Sequence, residues 1–182
     1  MADFPCLNLF TMLLINRFIS LIEDHAESLS MKWVQDVRTN HLTEGYSVYT
    51  RDALHDIVYT RIRKLGEWIE KNEGRDRLIA QHFCEIGAVR ATSGIKASEM
   101  VYSLMLERDL LWHYILDEGI VTEGVDLNRA IEFSNRLNYF YEKAIYFALV
   151  GHEKEQSCTP DMKEEGFFDK IFEGFKHWLI VE

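Results

Sequence analysis

Apolar residues recur every three or four positions along most of the chain, with polar residues between them. That period puts apolar side chains on one face of an α-helix. Leu7, Phe10, Leu14, Phe18, Leu21 and Ile22 predict a first helix that closes near His25. Leu29, Trp33 and Val37 predict a second over residues 26–38. Asn40, Gly45 and Ser47 mark residues 39–49 as a loop. Thr50 reads as an N-cap and Asp52 complements the dipole of the next helix. That helix carries Leu54, Ile57, Val58, Arg61, Leu65, Trp68 and Ile69.

Residues 75–91 form another predicted helix, with Leu78, Ile79, His82, Phe83, Ile86 and Val89 on its apolar side and a stop at Thr92-Ser93-Gly94. From Ser98 and Glu99 a helix runs to Asp117, presenting Val101, Leu104, Met105, Leu111, Trp112 and Ile115. A long helix over residues 126–150 has two apolar stripes. One holds Leu127, Ile131, Tyr141 and Ile145; the other holds Phe133, Leu137, Phe140, Ala144 and Phe147. A helix apolar around so much of its circumference is central or shared between subunits. Residues 151–165 read as a polar linker containing Pro160, and residues 166–182 as a C-terminal amphipathic helix.

No stretch alternates with period two between turn dipeptides, so the expected fold class is all-α. The organisation is a single helical domain of six or seven helices over residues 7–150, either globin-like or a simpler bundle, then the linker and the terminal helix. Large apolar residues, aromatic except for Leu137, concentrate in Phe133, Leu137, Phe140, Tyr141 and Phe147 with their neighbours, and in Phe168, Phe172, Phe175 and Trp178 of the tail. These nine positions are the expected interface of a homodimer. The tail face also suits a membrane interface, but Asp169 and Glu173 balance Lys170 and Lys176, so docking on protein is preferred.

Composition narrows the function. The 182 residues carry 20 Lys and Arg against 30 Asp and Glu, a formal charge of −10 that disfavours nucleic acid as a partner. Hydrophobic residues at 47% exclude a disordered chain. Cys6, Cys84 and Cys158 are odd in number and widely spaced, so neither a disulfide framework nor a CxxC metal pair is expected, and the setting reads as cytoplasmic. Leu7 to Ile15 resembles a secretory core, but it lacks a preceding Lys or Arg and a cleavage site.

Candidate chemistry is sparse. No histidine has Glu three positions before it, as a di-iron carboxylate bundle requires, and no metal site is expected. His82 and His113 sit on helices where either could serve as a haem ligand or simply pack, and no cofactor is expected. Cys84 lacks an activating neighbour in sequence and reads as a buried thiol. No phosphate loop, Rossmann fingerprint or nucleophile elbow occurs, so the protein is not expected to be an enzyme. Arg108 falls on the stripe of Val101, Met105, Trp112 and Ile115. It reads either as a snorkelling arginine or as a polar switch or ligand contact, with Glu85 or Glu99 as partner, while the adjacent Glu107 points elsewhere around the helix.

The run Phe83-Cys84-Glu85-Ile86-Gly87-Ala88-Val89-Arg90-Ala91-Thr92-Ser93-Gly94-Ile95, followed by Ser98-Glu99-Met100 and by Leu104, Arg108, Leu110, Leu111 and Trp112, resembles the N-terminal domain of RsbRD-type co-antagonists, related to the sensor modules of stressosome proteins. Residues 17–33 and 139–146 resemble that family's opening helices and its final aromatic helix. The resemblance implies a bacterial all-α sensory module that dimerises, usually lacks haem and acts upstream of a STAS or histidine-kinase output. It supplies no catalytic residues. The layout here departs from the family's, because residues after 150 read as linker and helix and not as an output domain. The expected function is a non-enzymatic sensory or regulatory module working through dimer and partner contacts, with a small ligand as a further option. The alternatives are a haem or metal sensor using His82 or His113, and a peripheral membrane protein held by its tail.

Overall fold

The computed structural model describes residues 5–69, 73–118 and 124–157, with side chains over 15–69, 76–118 and 127–154. Among them every regular element is helical: α1 (Pro5–Asp24), α2 (Ala26–Thr39), a 3-10 segment (His41–Val48), α3 (Arg51–Arg63), α4 (Leu65–Ile69), α5 (Glu73–Thr92), α6 (Ala97–Asp117) and α7 (Gly124–Ser157). The all-α expectation is met. One core runs through these elements, from Ile15, Phe18 and Ile22 of α1 to Phe133, Phe140 and Phe147 of α7. No helix of the described residues is long and apolar enough to cross a membrane.

Local chemistry sets the helix ends. Thr50 caps α3 by accepting from the Ala53 N–H at 3.2 Å. Gly94 adopts φ +75°, and the turn that follows α5 closes with Gly94 N–H to Ala91 O and Ile95 N–H to Arg90 O, both 3.0 Å. That is a Schellman cap, which needs the left-handed residue that glycine supplies without a Cβ clash. Residues 41–48, expected as a loop, coil into 3-10 turns instead. The Asn40 side chain accepts from Leu42 N–H at 2.9 Å, and the Thr43 hydroxyl donates to Val37 O at 2.7 Å.

The single helix expected after Thr50 is two, broken at Lys64 (φ −120°, ψ 29°). The break turns the Gly66 N–H to the Glu23 carboxylate, 2.9 Å away, and so ties α4 to α1.

The expected end of the long helix is also corrected. α7 continues through residues 151–157, where a linker was expected. The reason is its packing on α5. A Cβ on Gly87 would stand 1.9 Å from Ala148 O, and one on Gly151 would stand 2.0 Å from Cys84 O. Two glycines therefore let the helix backbones touch, and Gly151 lies within the helix as a packing position. The helices run in the same direction. Asp76 in the first turn of α5 pairs with Lys143 of α7 at 2.5 Å, and His152, further along α7, donates from Nε2 to Ile95 O just past the end of α5 at 2.8 Å.

The aromatic stripe of α7 faces inward. Phe133, Leu137, Phe140, Tyr141 and Phe147 are all buried within one chain. They are core, not interface, because α1, α4, α5 and α6 close over them. Leu127 at 54%, Ile131 at 49% and Tyr146 at 40% are the exposed large apolar positions of α7 among the described residues; the first two belong to the other stripe, whose Tyr141 is buried. Phe168, Phe172, Phe175 and Trp178 lie outside the described residues, as does the expected terminal helix.

Candidate functional site

Residues of α3 and α5 line a cleft of about 340 Å³. Asp56, Ile57 and Arg61 reach it from α3, and His82, Glu85, Ile86, Val89 and Arg90 from α5. Helical spacing explains the set. Ile57 and Arg61 are four apart, and His82, Ile86 and Val89 follow one another at four and three, so each series shares a face. A second recess of similar size adjoins it, sharing His82 and Glu85 and adding Trp68 and Leu78.

The floor of the cleft is charged and buried. Arg61 is 4% exposed and Glu107, across the core on α6, is 0% exposed. They meet as a fork: Arg61 Nε donates to Glu107 Oε1 at 2.6 Å, and Nη2 donates to Oε2. Burial works against the Arg61 charge, but Glu107 outweighs it and raises the guanidinium pKa above its ordinary value. Arg61 also stands over the Phe83 ring, 5.6 Å from its centroid. Tyr141 of α7 joins this layer. Burial, then the Glu107 charge, pushes its hydroxyl well above the ordinary phenol range, with Arg61 opposing. The floor thus links α3, α6 and α7 through three polar side chains.

Arg90, 4% exposed, is the second buried cation of the cleft lining. Its guanidinium lies over Tyr49 at 4.6 Å and Tyr46 at 5.4 Å from the ring centroids. Burial raises the Tyr46 hydroxyl pKa and Arg90 opposes that rise. The Tyr46 hydroxyl is held 2.7 Å from Ser103 Oγ, which donates onward to Met100 O. Trp33 completes this group by donating from Nε1 to Ser103 O at 3.0 Å.

His82 stacks on Trp68 with ring centroids 4.9 Å apart. Burial, then the Arg61 charge, lowers its pKa below the ordinary 6.5, with Glu85 opposing. Its imidazole is therefore neutral at pH 7. Glu85 is exposed and accepts from Gln81 at 3.1 Å.

Of the five residues singled out from the sequence, His82 and Glu85 meet in the cleft. The other three do not line it. Glu99 is a structural clamp, accepting from Gly45 N–H and Lys96 N–H at 3.0 Å each. Arg108 is not a core switch: it pairs with its neighbour Asp109 at 2.9 Å, partly exposed. His113 is exposed and donates from Nδ1 to Asp109 O at 2.7 Å.

Sequence reasoning missed Arg61, Arg90 and above all Glu107. The buried stripe of α6 is Met100, Leu104, Glu107, Leu111 and Ile115. The stripe read from the sequence lay one position away and placed Arg108 inward instead. A signal for Arg61 existed, since it interrupts the apolar run between Val58 and Leu65.

Cys84 is buried, and burial pushes its thiol up to about 11, with Lys154 opposing, so it is not poised as a nucleophile. Among the described residues no three His, Cys, Asp or Glu side chains gather as a metal donor set. Compared with family models, curated proteins and solved structures, the chain matches none.

Proposed function

We propose that this chain is a non-enzymatic helical regulatory module that takes its input at the α3–α5 cleft and gives its output through contact with a second copy and a signalling partner. The observation that carries the reading is the Arg61–Glu107 pair beneath the cleft. A group that touches Arg61 acts on a buried ion pair whose other half stands on α6 and borders Tyr141 of α7. Buried charge pairs are sensitive elements, because disturbing one partner leaves the other uncompensated in a low dielectric. The resemblance to RsbRD-type sensory domains supports the same reading, with a bacterial cytoplasmic setting and a STAS or kinase-type partner.

Self-association belongs to this proposal, with a changed basis. The aromatic stripe of α7 is unavailable, so the surface offered is the exposed pair Leu127 and Ile131, one turn apart. Sedimentation velocity over a wide concentration range tests it. A dimer that Ile131→Asp dissociates without loss of helicity is expected; a monomer at every concentration overturns the homodimer. A Soret band or stoichiometric metal in the purified protein would replace this reading with the haem or metal sensor.

A further inference from the structure

The α3–α5 cleft carries both signs of charge, Arg61 and Arg90 against Asp56 and Glu85, and Arg90 is set apart from the rest. Arg90 is nine-tenths buried, and no carboxylate of the described residues lies within ion-pair distance of it. Its Nε is buried without a hydrogen-bond partner. The Tyr46 and Tyr49 faces and the Tyr46 hydroxyl compensate part of the desolvation, and an anion that matches the fork would add the charge-assisted pair that the guanidinium lacks here. Arg61 does not compete for that anion, since Glu107 already occupies its fork.

The same cleft is unsuited to a ligand that is only anionic. Asp56 and Glu85 stand on its two walls, both exposed. They repel a bare anion and attract an ammonium. Between the acidic and basic groups the walls are apolar, with Ile57 and Ile86 half-buried and Val89 exposed at 52%. His82 is neutral at pH 7 and adds no charge to either side. A volume of about 340 Å³ is at the small end of ligand clefts, which run to roughly 1,000 Å³.

From this arrangement we infer that the cleft binds a small zwitterion of the apolar amino-acid class. Its carboxylate meets Arg90, its ammonium meets Glu85 and Asp56, and its side chain lies against Ile57, Ile86 and Val89. The inference rests on the proposed reading of the cleft as an input site and names what enters it. The ligand also separates input from catalysis: it is held at both charged ends and no bond in it changes.

Calorimetric titration of the full chain at pH 7 with leucine, 4-methylpentanoate and 3-methylbutylamine tests the assignment. The three probes share a branched apolar part and differ in which charges they carry. Saturable leucine binding is expected, with each singly charged probe about tenfold weaker or worse. Arg90→Met should weaken leucine by about tenfold or more and leave 3-methylbutylamine unaffected. Because Arg90 also packs on two tyrosines, Val89→Glu is the second variant. It changes an exposed wall position, should keep the fold, and should abolish leucine binding. No leucine binding by the wild type, or either singly charged probe binding as tightly as leucine, overturns the inference. If leucine fails while the dimer persists in sedimentation, the ligand assignment falls and the regulatory reading stands. If leucine binds a strictly monomeric chain, the ligand stands and the homodimer falls.

Discussion

Glu107 illustrates how much one side chain decides. It sits among Leu104, Leu111 and Ile115 on the buried face of α6, where an unpaired carboxylate would be costly. The Arg61 fork makes the position tenable. Glu107→Gln removes the charge, keeps the shape and leaves Arg61 buried without a counterion. Breaking a buried pair in this way costs about 3–5 kcal/mol. Urea unfolding should show a loss of that order, and an unchanged midpoint would mean the pair is solvated in solution. Arg108→Gln, by contrast, breaks only a partly exposed contact with Asp109. It should change stability by less than about 1 kcal/mol. The two substitutions together test which arginine the core depends on. His82 gives a further residue-scale expectation. Its NMR titration midpoint should fall below 6.5, because burial and Arg61 disfavour the imidazolium, and Arg61→Gln should move it back up.

At the scale of elements, the α5–α7 crossing is the least forgiving contact. Gly87 and Gly151 let two backbones approach to a distance that no Cβ fits. Alanine is intrinsically the better helix former by about 1 kcal/mol, so Gly87→Ala would stabilise an isolated helix. In the protein it should destabilise instead, because the added methyl meets the Ala148 carbonyl, which cannot move without moving α7. Overpacking of this kind costs about 1–3 kcal/mol net. A thermal midpoint that rises on Gly87→Ala would show that the helices are further apart. Gly94→Ala separates this effect from backbone strain: nothing lies within 4 Å of its would-be Cβ, and the cost there comes from φ +75° alone. That cost should be about 1–2 kcal/mol.

The whole molecule carries the pH dependence. The native state holds His82 neutral, so its folded pKa lies below the unfolded value of 6.5. As pH falls, the unfolded chain binds the proton first. The stability contribution of His82 is therefore complete above 6.5 and is lost as pH drops below 6.5 toward the lowered folded value. Urea midpoints should be lower at pH 5.5 than at pH 7.5, and His82→Gln should flatten that part of the profile. Equal slopes for the variant and the wild type would assign the acid sensitivity to other groups.

Local signals determined a large part of this protein. The helical period, the Thr50 cap, the Thr92-Ser93-Gly94 stop and the absence of alternating strands are contained within a turn or two of chain, and each is found where the residues place it. His82 and Glu85, three positions apart on α5, share a face by that spacing and both line the cleft. Tertiary structure alone decided the rest. A helix with two apolar stripes does not say which one meets its own domain, and here the aromatic stripe of α7 turned inward while Leu127 and Ile131 remained outside. Residues 151–157 read as linker until Gly151 is placed against Cys84. Whether Glu107 or Arg108 faces the core is a rotation of about 100° about α6, settled by Arg61, which is 46 residues away in the chain. Periodicity records which residues share a face. Which face is buried depends on partners distant in sequence, and burial is what turns an ordinary arginine or glutamate into a candidate site.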